Sequence, residues 1–197
     1  EATEAGAEPE TPKPGDAAFA SVQSSIISSN RLALEAAARR ATKLGLAPEI
    51  VSEPLAGEAR TAGASVAATL RNYSQARQTQ VRARPCVIWG GETTVTLGDA
   101  PGLGGRSQEL ALAAAHSLAG SETASLLAGG TDGRDGPTDA AGAIVDGTTW
   151  AKIAAAGHDP ARYLARHDAY PALAAAGALL QPGLTGTNVM DIVIGLG

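Results

Sequence analysis

The chain has 197 residues, a formal net charge of −5 and a sequence pI near 5.2. A nucleic-acid-binding surface needs a basic stripe that releases counterions, so this charge argues against nucleic acid as a partner. No apolar run reaches the length of a membrane span, and we expect neither a membrane segment nor a secretion signal. Cys86 is the single cysteine, which excludes an internal disulfide and favours a reduced, cytoplasmic compartment.

Residues 1–18 combine acidic residues, prolines and small residues without apolar periodicity, which predicts a disordered or linker tail. The apolar run from Phe19 to Ile27 predicts a short strand. The following segment predicts a helix with Ser29 or Asn30 as its N-cap and Gly45 as its stop.

Ile50 and Val51 suggest a second strand, and residues 57 to about 78 predict a second helix with one apolar face. "PCVIWGG" predicts a buried strand, and "ETTVTL" predicts a half-exposed strand because threonine and valine alternate.

The segment "RSQELALAAAHSLAG" is strongly helical, and "ASLLAGG" predicts a short buried strand that opens into an Asp-rich loop. Beyond that loop "TTWAKIAAAG", "PARYLARH" and "YPALAAAGALL" are helical by composition, and a final strand follows another glycine-rich turn. Strands that alternate with helices predict an α/β fold with a parallel or mixed sheet and flanking helices.

Three glycine-rich loops, at 98–106, 129–142 and 183–188, each lie beside a strand or a helix. Glycine lets backbone N–H groups approach an anion, and in α/β sheets such loops mark the ligand-binding edge, although glycine-rich turns are also common without a ligand. Arg106 begins a helix, where a cation opposes the macrodipole. Either Arg106 and the helix N-terminus jointly hold a phosphate or carboxylate, or Arg106 pairs with Glu109 or an aspartate of a neighbouring loop.

Asp132, Asp135 and Asp139 lie on a loop of a kind that compact domains rarely keep without a function. These aspartates could hold a Mg²⁺ ion that in turn holds a nucleotide, or one of them could be a general base. For each aspartate taken singly, turn formation or helix capping is a sufficient explanation. Thr93, Thr94 and the Thr185–Asn188 segment offer donors for a phosphate or polyol. His116, His158 and His167 have no metal-ligand spacing and are predicted to be surface or capping residues. The common ATPase, dinucleotide, esterase and metalloprotease motifs are absent from the sequence.

The motifs "GGETTVTLGDAPGLGGRSQELALAAA", "LLAGGTDGRDGPTDAAGAIVDGTTW" and "GLTGTNVMDIVIGL" resemble the C-terminal part of the type II glycerate kinases. These enzymes carry the MOFRL domain and have often been labelled hydroxypyruvate reductases. The resemblance runs from about residue 22 to the end. It implies that residues 19–84 are the end of a Rossmann-like domain and that residues 85–197 form a MOFRL-like α/β domain.

The resemblance also implies transfer of phosphate from ATP to D-glycerate, giving 2-phosphoglycerate, with a requirement for Mg²⁺. Arg106, Asp132 and Asp135 become the candidate catalytic residues, and Asp132 and Asp135 the candidate metal ligands. Substrate or nucleotide binding is expected of Gly90, Gly91, Glu92, Thr93, Thr94, Gly104, Gly105, Gln108, Glu109, Thr131, Asp139, Thr185, Thr187 and Asn188.

Two departures from the family pattern leave alternatives open. The asparagine that usually follows the arginine is Ser107 here, and the family's first domain, with a lysine implicated in catalysis, is expected upstream of residue 1. The chain is then a fragment, a gene remnant or the second half of a split enzyme. Its expected protein partner is a second copy in a homo-oligomer or the missing N-terminal domain. One rival function is NAD(P)H-dependent reduction of hydroxypyruvate, but the sequence lacks the dinucleotide-binding fingerprint. The other rival is a non-catalytic anion-binding or interaction module.

Overall fold

The computed structural model describes residues 11–76 and 84–197. A 3₁₀ turn at Ala17–Phe19 precedes the regular elements. The helices are α1 (Asn30–Lys43), α2 (Ala59–Ala76), α3 (Arg106–Leu118), α4 (Thr149–Ala155), α5 (Pro160–Ala165) and α6 (Ala169–Ala175). The strands are β1 (Ala47–Ile50), β2 (Pro85–Gly91), β3 (Ser125–Gly130), β4 (Gly142–Asp146), β5 (Leu179–Leu180) and β6 (Asp191–Leu196).

Within the described ranges the strands form one sheet in the order β1-β2-β6-β3-β4-β5. β1 and β2 are parallel, and the other neighbouring pairs are antiparallel. This confirms the predicted α/β fold with a mixed sheet and flanking helices.

The two faces of the sheet are covered by different helices, and strand alternation decides which side chain meets which helix. In β2, Val87 and Trp89 point into the larger core with α2 and α3, whereas Cys86 and Ile88 pack under α1. Alanine is frequent in the larger core, so α2 and α3 approach closely. A Cβ on Gly63 of α2 would lie 2.2 Å from the carbonyl oxygen of Leu110 in α3.

The predicted helix ends are confirmed where a local cap defines them. Ser29 Oγ accepts the backbone N–H of Leu32 at 3.3 Å, and Gly45 adopts φ +78° after α1. In α2 the predicted apolar face is buried at Ala59, Ala62, Val66 and Leu70.

Two predicted strands are wrong. Residues 20–29 follow the 3₁₀ turn without pairing to a strand, and Ile26 and Ile27 are 84% and 91% exposed. Residues 92–97 form only an isolated bridge between Thr94 and Glu58, because the segment before α2 occupies that edge and takes its backbone hydrogen bonds. Apolar or alternating residues therefore produced no strand where no neighbouring strand was available.

Two strands were missed for the opposite reason. β4 lies inside the segment that the sequence assigned to the Asp-rich loop, and β5 lies at the end of a segment predicted to be helical. β4 pairs with β3 and buries only the small side chains of Ala143 and Val145, while Ile144 stays half exposed. The backbone hydrogen bonds to β3 make this segment a strand, although its composition did not predict one.

Residues 1–10 of the predicted tail and the predicted end of the second helix at 77–78 lie outside the described residues. The division of the chain at residues 84 and 85 stays a prediction, and β1 and β2 on either side of it are neighbours in one sheet. Across the described ranges, none of the helices combines the length and apolarity that a bilayer crossing requires.

Candidate active site

Strand register brings three loops to one edge of the sheet. Gly91 at the end of β2 and Gly130 at the end of β3 both pair with Asp191, the first residue of β6. The loops that follow β2 and β3 and the loop that precedes β6 therefore leave the sheet side by side. Arg106 at the start of α3 reaches the same edge through Asp191.

These loops and the start of α3 enclose a cleft of about 630 Å³, a size typical of small-molecule sites. The predicted site residues in its wall are Thr93, Thr94, Gly104, Gly105, Arg106, Glu109, Asp132 and Asp135. The wall also contains Arg134 and His167, which the sequence did not assign to the site. The other predicted residues are not part of this wall, and several of them hydrogen-bond to residues in it.

Two carboxylates hold the guanidinium of Arg106. Nε donates to Asp191 Oδ2 at 2.7 Å, Nη2 donates to Asp191 Oδ1 at 3.1 Å, and Nη1 donates to Glu92 Oε1. The hydrogen bond to Asp191 raises the pKa of Arg106, while burial raises the pKa of Asp191. One third of the Arg106 side chain stays exposed, so a fixed cation faces the cleft. Glu109, considered as a partner from the sequence, is not the residue that pairs with it.

Asp135 caps the N-terminus of α3, where the sequence placed a ligand anion. Oδ1 accepts the backbone N–H of Ser107 at 3.2 Å, and Oδ2 accepts that of Gln108 at 2.8 Å. Burial raises the pKa of Asp135 to about 6, although both hydrogen bonds act in the other direction. A Cβ on Gly105 would lie 2.3 Å from Asp135 Cγ, so this contact requires glycine. Asp135 therefore occupies the Ser107 and Gln108 amides that a joint site of Arg106 and the helix N-terminus would offer to a ligand.

Glu109 is buried and lies between the side chains of Arg60 and His167. Oε1 accepts from Arg60 Nε at 3.0 Å, and Oε2 lies 2.8 Å from His167 Nδ1. His167 adopts φ +55° and contributes to the cleft wall, so its prediction as a surface or capping residue is wrong. No sequence signal indicated that Arg60 or His167 belongs to the site, because their contacts with Glu109 join α3 to α2 and to the turn before α6. His116 packs against Trp150, with ring centroids 4.4 Å apart.

The aspartates of the long loop separate into different environments. Asp132 lies in the cleft wall, and its Oδ1 accepts the backbone N–H of Arg134 at 3.0 Å. Asp139 lies outside this wall, where it accepts hydrogen bonds from Tyr170 Oη at 2.8 Å and Gln181 Nε2 at 3.0 Å. The Tyr170 hydroxyl and Gln181 amide lower the pKa of Asp139.

Thr185 and Asn188, in the last glycine-rich loop, contact Asp132 and its neighbour Thr131. Thr185 donates its backbone N–H to the Asp132 carbonyl at 3.1 Å and its hydroxyl to the Thr131 carbonyl at 2.5 Å. Asn188 Nδ2 lies 3.5 Å from Asp132 Oδ2, and the Thr187 carbonyl accepts from the Thr185 hydroxyl at 3.3 Å. These bonds tie two loops together.

Gly90, Gly91 and Gln108 also support the cleft from outside its wall. A Cβ on Gly90 would lie 1.9 Å from Asn30 Oδ1. Gly91 adopts φ +140°, and a Cβ there would collide with the backbone of Leu55. Gln108 is fully buried, and its Nε2 donates to the Asp135 carbonyl at 3.2 Å. Its Oε1 has no hydrogen-bond partner among the described residues.

The described residues contain no group of three or more His, Cys, Asp or Glu side chains arranged to hold a metal ion. Mg²⁺ commonly needs only one or two protein carboxylates, with phosphate oxygens and water completing its shell. Asp132 fits that requirement, because it lies in the cleft wall and one of its oxygens has only a 3.5 Å contact. Asp135 fits less well, because each of its oxygens already accepts a backbone N–H.

The chain is similar to named glycerate kinases over most of its length. It is 43% identical to D-glycerate 2-kinase of Thermotoga maritima over 187 residues, which are 95% of this chain and 43% of that protein. It is 41% identical to a putative hydroxypyruvate reductase of Agrobacterium vitis, over 93% of this chain and 41% of that protein. The chain thus spans about two fifths of the length of these relatives.

Solved structures have the same fold. The crystal structure of a glycerate kinase from Thermotoga maritima matches with a TM-score of 0.81 and 45% identity, over 86% of this chain and 41% of that one. A Pyrococcus horikoshii protein matches with a TM-score of 0.82 and 42% identity, over 90% and 40% of the two chains. The MOFRL family model matches residues 85–191, which contain the Arg106 helix, the Asp-rich loop and the start of β6. The chain therefore belongs to the MOFRL family.

Proposed function

We propose that this chain carries part of the active site of an ATP- and Mg²⁺-dependent D-glycerate 2-kinase. The observation that carries the proposal is Arg106, a guanidinium fixed by Asp191 and Glu92 and partly exposed in a cleft of small-molecule size. The relatives named glycerate kinase support the choice of substrate, and the cytoplasm is the compartment proposed for the reaction.

In phosphoryl transfer the protein mainly positions the reacting groups and stabilises negative charge. Arg106 would bind the carboxylate of glycerate or the transferring phosphoryl group. Its bonds to Asp191 hold the guanidinium plane before substrate arrives, so little reorganisation accompanies the reaction.

Asp135 would orient the attacking hydroxyl of glycerate and accept its hydrogen bond. A carboxylate has about four lone-pair positions, so it can keep both backbone N–H bonds and still accept a third. A pKa of about 6 leaves Asp135 mainly ionised at pH 7 and close to the value that suits a general base. Asp132 would hold Mg²⁺, which neutralises charge on the phosphate oxygens when bound.

The test is incubation of the purified chain with Mg²⁺-ATP and D-glycerate, with phosphoglycerate isomers separated by liquid chromatography and detected by mass spectrometry. We expect 2-phosphoglycerate, and a fall in rate on the order of 10² to 10³ for Arg106→Ala. Arg106→Lys is the conservative control, and circular dichroism checks that each variant is folded. Turnover of Arg106→Ala near that of the unchanged chain would refute the assignment of Arg106.

Parallel reactions separate the rival functions. Loss of NADH with hydroxypyruvate, without phosphoglycerate from ATP and D-glycerate, would replace the kinase with a reductase. Arg106-dependent binding of ATP or glycerate without either product would indicate that this piece holds a ligand site but does not complete the reaction by itself. Absence of both binding and product would contradict the proposal for this chain.

A further inference from the structure

A second arginine, Arg134, lines the same cleft but differs from Arg106 in its contacts. The guanidinium of Arg106 is held by Glu92 and Asp191. Within residues 11–76 and 84–197, the Arg134 side chain has no hydrogen bond or ion pair, and it is exposed at the cleft wall. Arg134 is therefore a cation available to a ligand without the loss of an existing ion pair.

The backbone that carries Arg134 is held firmly. Its N–H donates to Asp132 Oδ1 at 3.0 Å, in a turn where Gly133 adopts φ +85°. A Cβ on Gly133 would lie 1.9 Å from the Gly183 carbonyl oxygen, so the turn packs tightly against the next loop. The turn therefore fixes the backbone of Arg134, while its guanidinium has no hydrogen-bond or ion-pair partner among the described residues.

Among the described residues, Arg134 offers an anionic ligand a guanidinium without a carboxylate partner, in a wall that also contains Asp132 and Asp135. Glu92 and Asp191 compensate Arg106, and Glu109 lies between Arg60 and His167. Two carboxylates already take N–H groups of Arg106, whereas the Arg134 guanidinium has no carboxylate partner among the described residues, so it can receive a second oxyanion besides the one proposed for Arg106. A planar guanidinium binds phosphate or carboxylate through two parallel N–H bonds.

We propose that Arg134 is a substrate-binding residue that receives an oxyanion of one of the two substrates. This inference rests on the proposed kinase function. The oxyanion is either a phosphate of the nucleotide or the carboxylate of glycerate, and both offer the acceptor geometry that a guanidinium recognises.

The experiment is isothermal titration calorimetry of this chain with Mg²⁺-ATP and, separately, with D-glycerate. The variants are Arg134→Gln, Arg134→Lys and the control Arg39→Gln, which removes one exposed arginine from α1, away from the cleft. We expect Arg134→Gln to weaken one of the two ligands about 10-fold or more, Arg134→Lys to weaken it less, and Arg39→Gln to leave both within 2-fold.

Weaker binding of ATP alone identifies the phosphate as the oxyanion, and weaker binding of glycerate alone identifies the carboxylate. Equal affinities for Arg134→Gln and Arg39→Gln overturn the inference, and formation of 2-phosphoglycerate would leave the kinase proposal intact. Arg134-dependent binding without phosphoglycerate would support the inference and count against catalysis by this chain. If the unchanged chain binds neither ligand, both proposals are wrong for it.

Discussion

Gly105→Ala tests whether the Asp135 cap organises the cleft. Gly105 has extended backbone angles, φ −146° and ψ −179°, which alanine adopts without strain. The added Cβ would, however, lie 2.3 Å from Asp135 Cγ and 2.4 Å and 2.5 Å from its two oxygens. Asp135 must move, and the backbone N–H groups of Ser107 and Gln108 then lose their acceptors.

Loss of these two bonds at a buried helix N-terminus costs about 2–4 kcal/mol of unfolding free energy. For a chain of 197 residues, each kcal/mol lowers Tm by roughly 2–4 °C. The matched control is Gly98→Ala, where a Cβ meets nothing within 4 Å. We would compare the variants by urea and thermal unfolding, followed by circular dichroism. Equal stability of Gly105→Ala and Gly98→Ala would refute the reasoning.

Two further predictions concern buried carboxylates. Native Asp135 has a pKa of about 6 against its ordinary value of 3.8, so between these pH values the folded chain keeps a proton that the unfolded chain releases. The Asp135 contribution to the free energy of unfolding therefore falls by about 3 kcal/mol as pH rises from 4 to 7. In urea unfolding, the stability of Asp135→Asn should therefore rise relative to that of the unchanged chain over that range. Parallel pH profiles of the two proteins would contradict this prediction. Glu109→Gln should lower the unfolding free energy by about 1–3 kcal/mol, because the buried Glu109 binds Arg60 and His167. Glu35→Gln, which breaks the exposed Arg31–Glu35 pair, should lower the unfolding free energy by less than about 1 kcal/mol. Equal losses for the two variants would show that burial does not make the Glu109 contacts more stabilising.

Local features of the fold were predictable because nearby atoms determine them. The N-cap of α1 depends on Ser29 and a backbone N–H three residues later, and its stop depends on the left-handed backbone of Gly45. The buried face of α2 follows from helical periodicity. The prediction that glycine-rich loops mark a ligand-binding edge rests on the alternation of strands and helices, whereas strand register decided which loops share that edge.

Tertiary structure decided which charged groups meet. Arg106 pairs with Asp191, 85 residues away, and Asp135 caps a helix that begins 29 residues earlier, at Arg106. Glu109 meets Arg60 and His167 because α2 and the turn before α6 pack on α3. Asp139 shares the loop of Asp135, but Tyr170 and Gln181 hold it away from the cleft.

The sequence by itself determined the fold class, the ends of α1, the resemblance to a family and the loops that carry the candidate site. These depend on hydrophobic periodicity and on backbone preferences within a few residues. Only the tertiary structure decided that β4 is a strand and that the run at 19–27 is not. It also decided that, among the described residues, two carboxylates hold Arg106 whereas Arg134 has no ion-pair partner. Strand pairing and ion pairing join residues far apart in the chain, so their outcome depends on which partners the complete fold brings within hydrogen-bonding distance.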